Sequence, residues 1–382
     1  MKILAVDVGT GTQDILLFDS NKEVENCYKL VLPSPTVRLA GQIRAATQQG
    51  QGVLLTGVLM GGGPCAWAAR DHAAAGLPLW VTPDAARTFD DDPARVAAMG
   101  AVMVSDDEAA ALAGRVPRLT MADFDYPAIA AVFERYGVNL HRELDAIALA
   151  VFDHGNAPPG VSDRLFRFEY LEKCLQTRNS LTAFAFLADD VPPMMTRMQA
   201  AAGSARAARP NLPVVLMDTA PAAVLGALED ARVRRTRPAL VANIGNFHCL
   251  AFRLGWPTGG DFTGGIEGLF EHHTGEITPG RLEGFLTRLA QGSLTNADVF
   301  DSNGHGAVMF SARPAPLDFL SVTGPRRNFL QTSTLAPYLA APFGDMMLAG
   351  SYGLVRACTA LLPIHAEAIA AALAGQGGRS LW

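Results

Sequence analysis

Residues 3–19 read Ile3-Leu-Ala-Val-Asp7-Val-Gly-Thr-Gly-Thr-Gln-Asp-Ile-Leu-Leu-Phe-Asp19. An apolar run, a turn of small residues and a second apolar run predict a β-hairpin. Asp7 closes the first strand, and Gly9, Thr10, Gly11 and Thr12 make the turn. Glycine lets backbone N–H groups approach an anion closely, and successive N–H groups in a turn form an anion-binding concavity. A carboxylate beside such a turn suits a hydrated magnesium ion. The stretch therefore reads as a phosphate site built on a hairpin. The alternative is an ordinary buried hairpin with a glycine turn. No Gly-x-x-x-x-Gly-Lys-Ser/Thr occurs in the chain, so the hairpin is not a Walker loop.

The rest of the composition narrows the class. At 382 residues the chain is long for one core, and two domains are expected. Hydrophobic residues make up 49% and charged residues 18%, the balance of a packed globular protein. The net charge of -6, with no long basic block, argues against nucleic-acid binding. Arg232, Arg234, Arg235 and Arg237 read as a solvated connector. No apolar run is long enough to span a bilayer, and the N-terminus lacks a signal-peptide pattern. Five dispersed cysteines form no Cys-x-x-Cys pair, so neither a disulfide framework nor an iron–sulfur or zinc centre is indicated. A reduced cytoplasmic setting, with no membrane partner, is expected.

Beyond the hairpin, strand-like runs alternate with alanine-rich helical runs. Strands are expected at 52–60, 79–82, 101–104, 146–152, 212–217, 240–243, 248–254 and 319–322. Helices are expected at 36–49, 65–75, 94–99, 106–112, 127–136, 219–230, 281–291 and 345–362. Segment 154–213 is less regular, with helices expected near 180–188 and 194–207. The alternation predicts a mixed α/β architecture. Leu4-Ala-Val-Asp-Val-Gly-Thr and Leu240-Val-Ala-Asn-Ile-Gly-Asn echo each other as strand–polar–x–Gly–turn units. Duplicated halves with facing turns would hold a ligand between them.

Five segments, in order, carry a resemblance. They are Asp7-Val-Gly-Thr-Gly-Thr, the helix after Asp218-Thr-Ala-Pro-Ala-Ala, Asn243-Ile-Gly-Asn-Phe-His248, Thr323-Gly-Pro-Arg-Arg327, and the helix Gly344-Asp-Met-Met-Leu-Ala-Gly-Ser-Tyr-Gly. Together they resemble the phosphate 1, connect 1, phosphate 2, adenosine and connect 2 elements of the actin, sugar-kinase and heat-shock-chaperone ATPase superfamily. The resemblance implies two ribonuclease-H-like lobes with mixed sheets flanking an interdomain nucleotide cleft. Lobe I would span 1–231, with the C-terminal helix 345–382 packing back onto it, and lobe II 232–344. Phe152-Asp-His-Gly155, Phe270-Glu-His-His-Thr274 and Gly304-His-Gly306 resemble, more narrowly, a prokaryotic family labelled as a pyruvate formate-lyase activating enzyme. Radical activation needs a close three-cysteine cluster, which this sequence lacks, so that chemistry is rejected.

The superfamily resemblance implies roles. Asp7 would hold Mg2+ through water, and Gly9, Thr10, Gly11, Thr12 and Gln13 would meet the phosphates of ATP. Asn243, Gly245 and Asn246 would grip them from lobe II. Asn stands at position 243 where many relatives carry Asp, and an amide cannot activate water. Gly324 and Arg326 would lie by the adenosine. Asp218 opens a helix as the general base does in sugar kinases, and Asp153 is its rival; plain helix capping is the other reading of Asp218. His154, His248, His272, His273 and His305 are assigned to substrate or partner contact. Glu271-His272-His273 with His305 and Asp301 also has the residue types of a transition-metal site, but adjacent histidines point to different sides.

Three functions follow from the sequence. The first is a kinase that uses Mg-ATP to phosphorylate an unidentified small molecule. The second is an ATP-driven activator or switch acting on a partner protein. The third is a nucleotide sensor with little turnover.

Overall fold

A computed structural model of the chain describes residues 1–376 apart from 113, 258 and 315; the last part of the expected C-terminal helix, 377–382, lies outside the described residues. The opening hairpin is β1 (Lys2–Val8) and β2 (Thr12–Asp19), extended by β3 (Tyr28–Pro33). β4 (Val53–Gly57), β5 (Leu79–Val81), β6 (Ala101–Met103) and β7 (Arg118–Met121) follow, then β8 (Ala146–Val151), β9 (Ala185–Leu187) and β10 (Val214–Asp218). The first sheet has the order β3-β2-β1-β8-β10-β9. β4–β7 form a separate parallel sheet of order β6-β5-β4-β7, set into the chain between β3 and β8.

The pattern then restarts. β11 (Ala239–Ile244), β12 (His248–Leu254), β13 (Ile266–His273), β14 (Gly306–Met309), β15 (Leu320–Thr323) and β16 (Tyr338–Leu339) form a sheet of order β14-β13-β12-β11-β15-β16. In each six-stranded sheet an antiparallel meander, β1-β2-β3 in one and β11-β12-β13-β14 in the other, meets two parallel strands at its first member, β8 and β10 or β15 and β16, and β9 adds an antiparallel edge to the first. This repeated order is that of two ribonuclease-H-like lobes, the two-lobe fold of the actin and sugar-kinase superfamily.

Alternation in β1 explains how the first sheet is covered. Ile3 and Ala5 face a core shared with the helices Thr219–Ala227 and Ala349–Leu361; Leu4, Val6 and Val8 face the helices Tyr126–Arg135 and Thr196–Ala208. Asp7 lies on the Ile3 face, toward the start of the helix Ala349–Leu361. The shared core also takes Val241, Leu250 and Phe252 from the second sheet, so the two helices form a layer joining the lobes. They cross closely: a Cβ on Gly226 would collide with the Ala349 carbonyl, and one on Gly353 with the Ala222 carbonyl. Gly350, in the same helix, abuts the Asp7 carboxylate and not the partner helix.

Segment 180–188 is not the expected helix. It is a short 3-10 turn, Leu181–Phe184, leading into edge strand β9. Ala185 and Leu187 enter one core and Phe186 the other, the period-two pattern of a strand. The irregular-looking region also contains a full helix, Asp163–Thr177, whose buried face is Arg167, Phe168, Leu171 and Leu175. Among the described residues no single helix is long and apolar enough to cross a membrane.

Candidate functional site

The C-terminal ends of β1, β8 and β10, where ligands of open α/β sheets sit, face the turn between β11 and β12 across a cleft of about 790 Å3. The first glycine turn is closed by Gly9 N–H donating to Thr12 O at 2.9 Å and is braced by Ser34 Oγ donating to Thr10 O at 2.6 Å. The second is closed by Gly245 N–H donating to His248 O at 2.9 Å. Gly324, at φ 98°, packs on Asn243 and Ile244 and brings the loop after β15 against that turn. The two turns meet directly: a Cβ on Gly11 would lie 2.8 Å from Asn246 Nδ2. Gly9, Thr10, Thr12, Asn243, Gly245, Asn246 and Gly324 line the cleft. Gly11, Gln13 and Arg326 stand outside the lining; Gln13 donates instead to Pro33 O at 3.2 Å.

Two acids share the cleft floor. Asp7 and Asp14 are directly opposite in the β1–β2 register and both are buried. Thr219 donates its hydroxyl to Asp7 Oδ1, while Asp14 Oδ1 is buried without a partner. Burial pushes Asp7 up to about 7, and burial together with the Asp7 charge pushes Asp14 up to about 8. Asp14 was not singled out from the sequence. Its signal was the alternation of β2, which places it on the same face as Asp7.

The two acids expected to act as bases lie elsewhere. Asp218 accepts from Arg167 Nη1 at 2.6 Å and Nη2 at 3.2 Å, and it caps the helix Thr219–Ala227 through Ala220 N–H at 3.2 Å. Arg167 also donates to both oxygens of Glu271, at 2.7 and 2.8 Å. All three side chains are buried, and the network ties Asp218 on the first lobe to Glu271 on the second. Burial opposes the Arg167 charge, but the two carboxylates hold the guanidinium firmly ionised. Asp153 accepts Gly155 N–H and Met198 N–H, both at 2.8 Å. Neither Asp218 nor Asp153 lines the cleft. The carboxylate on the β4–β7 side is Asp123, held by Arg197 Nε at 2.7 Å and by Gly61 N–H at 3.1 Å. Asp123, Arg197, Trp67 and the Gly61–Gly63 loop line that side. No sequence motif announced Arg167, Asp123 or Arg197, although the 168, 171, 175 spacing marks the Arg167 helix.

The histidines separate into two groups. His272 is buried and bonded through both nitrogens, to His273 O and Ser302 O, each at 2.9 Å. His154, His248, His273 and His305 come together, with the His248–His305 and His273–His305 ring centroids 5.1 and 4.6 Å apart. Phe152 stacks on His248 at 3.9 Å. His154, His248 and His273 line the cleft; His272 and His305 do not. Burial, reinforced by neighbouring cationic groups, holds His248 and His305 well below the ordinary histidine value, so both are neutral imidazoles.

Residues 60–329 match the family described as "Putative pyruvate format-lyase activating enzyme (DUF1786)". The chain belongs to this family. Family membership does not bring the cysteines together in the chain: Cys65, Cys174, Cys249 and Cys358 lie on four separate elements, and Cys27 follows a fifth. No curated protein matches the chain. Among solved structures it is similar to an exopolyphosphatase-like protein, at 9% identity over 96% of this chain and 91% of that one, with a TM-score of 0.26. It is also similar to a carbohydrate kinase from Novosphingobium aromaticivorans, at 14% identity over 99% and 92%, with a TM-score of 0.24. The strand order of the two sheets, not these distant likenesses, gives this DUF1786 member its two-lobe ribonuclease-H-like fold.

The cleft of this DUF1786 chain thus offers two glycine turns from opposed lobes, a pair of incompletely bonded carboxylates, and a polar wall at Asp123 and Arg197. Such a site can hold a polyanion between backbone turns, balance it with a hard cation, and receive a second small molecule beside it.

Proposed function

We propose that this protein binds Mg-ATP in the interlobe cleft and transfers the γ-phosphoryl group to a small molecule held beside the Gly61–Gly63 loop. The observation that carries this reading is the meeting of the two phosphate turns, Gly11 against Asn246, over the Asp7–Asp14 pair. The residues fit a magnesium ion: both acids supply hard oxygen donors, and the buried Asp14 Oδ1 lacks a partner. A magnesium ion held by Asp7 and Asp14 would supply charge neutralisation for the nucleotide phosphates. The acceptor oxygen forms a bond to the γ-phosphorus, the bond to the β–γ bridging oxygen breaks, and ADP leaves. Phosphoryl transfer asks mainly for positioning and charge stabilisation. Asp123 lines the cleft whereas Asp218 does not, so Asp123 is the carboxylate on the acceptor side that takes the hydroxyl proton. The walls around Trp67 and Phe247, 5.5 Å apart, keep water from the phosphoryl group.

The test is thermal shift with ATP, ADP and a non-hydrolysable analogue plus Mg2+, followed by ADP formation against metabolite pools. Mg-ATP is expected to raise Tm, Asp7→Asn to abolish the rise, and ADP to form only with a particular pool. No stabilisation by any nucleotide at millimolar concentration overturns the reading. One specific observation favours a second reading, a nucleotide sensor: Asn243 is an amide and Asp218 is engaged by Arg167. Nucleotide stabilisation without turnover on any pool selects it.

A further inference from the structure

Three imidazoles converge at the lobe boundary from three chain segments. His154 follows β8 on the first lobe; His248 opens β12 and His305 precedes β14 on the second. One ring nitrogen of each lies within 4.8 Å of the others. His305 is fully buried, and neither of its nitrogens has a hydrogen-bond partner; His248 Nε2 is buried without one as well. Other buried histidines of this chain are satisfied. His72 is bonded to Thr47 Oγ1 at 2.8 Å and Pro78 O at 3.1 Å, and His272 to two carbonyls. An unsatisfied buried polar group costs about 1–3 kcal/mol, so orphaned imidazole nitrogens gathered at one point imply a missing bonding partner.

We infer that His154, His248 and His305 form a binding site for a late first-row divalent transition ion, zinc being the reference case. Imidazole suits zinc, copper, nickel and iron, whereas magnesium prefers the oxygens of Asp7 and Asp14, so the two sites are chemically distinct. A tetrahedral ion with nitrogen bonds of about 2.0–2.1 Å sets its ligands about 3.4 Å apart. The three ligand nitrogens lie within 4.8 Å of one another here, so binding draws them closer together, and His154 stands at an exposed position.

The surroundings are those of a ligating cluster. Glu271 Oε2 lies 3.6 Å from His305 Nδ1, beyond hydrogen-bond range here but near enough that a small shift on ion binding would let it orient the imidazole and leave Nε2 to the ion. Phe152 fixes the His248 ring plane, stacked within 7°. Arg167 brings one positive charge nearby, but Asp218 and Glu271 bring two negative ones, so the network does not repel a cation. The open position faces the cleft, beside His273, whose Nδ1 is fixed to Asn303 O at 2.7 Å. Three protein nitrogens with one open position is the arrangement that binds an exogenous oxygen ligand. Because its ligands come from both lobes, the ion also staples the lobes together.

The test uses the full chain, free of any histidine tag and stripped by chelator, titrated with Co2+ as a spectroscopic probe and with Zn2+ in competition, without nucleotide. One ion per chain is expected, with the visible absorption of four- or five-coordinate cobalt, and Zn2+ raises Tm. His154→Ala, at an exposed position, and His248→Ala are expected to weaken binding by more than about tenfold. His365→Ala leaves it unchanged. His305→Ala is scored only where circular dichroism shows the wild-type fold. Absence of stoichiometric binding, or binding that His154→Ala and His248→Ala leave unaltered, overturns the inference. Nucleotide binding is read separately, so failure of either reading leaves the other standing.

Discussion

Asp7 and Asp14 face each other on one hairpin, out of water, with few donors between them. A carboxyl whose folded value, about 7 for Asp7 and about 8 for Asp14, exceeds the ordinary 3.8 holds its proton more tightly when folded. Its contribution to stability is complete below about pH 4 and is lost as pH rises through 7 to 8. The metal-free protein is therefore expected to lose stability across that window, and Asp14→Asn to flatten the loss. Melting curves from pH 4 to 9 in chelator test this, and a level wild-type profile contradicts it. Added Mg2+ binds the ionised pair and opposes the decline at the upper end.

Arg167 makes a different prediction at the same scale. Arg167→Met leaves Asp218 and Glu271 buried without their cation, at a cost of about 3–5 kcal/mol in urea unfolding. Asp218→Asn should lower stability less and leave ATP affinity unchanged. If Asp218→Asn abolishes turnover while stability is untouched, Asp218 is a base and not an anchor. The sequence pointed to Asp218 and Asp7 because both end apolar strands before small-residue turns. It was silent on Arg167, since the meaning of a charged residue on a helix depends on which strands pack over it.

At the scale of elements, the crossing helices Thr219–Ala227 and Ala349–Leu361 depend on glycine. Mid-helix glycine costs about 1 kcal/mol against alanine, and here close backbone approach offsets it. Gly226→Ala and Gly353→Ala should each destabilise by about 1–3 kcal/mol or more, because the new methyl meets a carbonyl of the partner helix. Gly284→Ala, in the exposed part of the helix Pro279–Gln291 with open space around it, should instead stabilise by about 1 kcal/mol. Chemical denaturation of the three variants checks the contrast. The opening hairpin, the β11–β12 turn and these two helices were legible because their apolar periods are clean. β9 was misread because alanine and phenylalanine in Ala183–Leu187 suit a helix until two different cores claim alternate side chains. β13, which ends in His272 and His273, carries charges and histidines that break the strand pattern in sequence, and β14, which follows His305, is only four residues long.

At the scale of the molecule, two sheets of like order share one buried layer, and the site lies where their turns meet. The echo of Asp7-Val-Gly-Thr and Asn243-Ile-Gly-Asn was visible in the sequence. The convergence of His154 with His248 and His305 was not, since residues about a hundred positions apart meet only once the lobes are docked. A ligand that binds the folded state raises stability by RT ln(1 + [L]/Kd). Mg-ATP and Zn2+, held at distinct sites, are therefore expected to give separate increments in Tm. In His154→Ala the zinc increment should vanish while the Mg-ATP increment stays; loss of both would mean that the sites are not distinct.

The contact between Trp67 and Phe247 gives the chain an optical gauge of its own. Trp67 belongs to the helix Pro64–Ala74 and Phe247 to the turn between β11 and β12, and their ring centroids are 5.5 Å apart across the mouth of the cleft. Any opening wide enough to admit a nucleotide pulls the indole away from that ring and changes its emission. The chain has four tryptophans, and Trp67→Phe identifies the share of the signal that belongs to the mouth. In rapid mixing, a fluorescence rate that levels off at high ATP reports a gate opening ahead of capture. A rate that climbs in proportion to ATP reports a mouth already ajar.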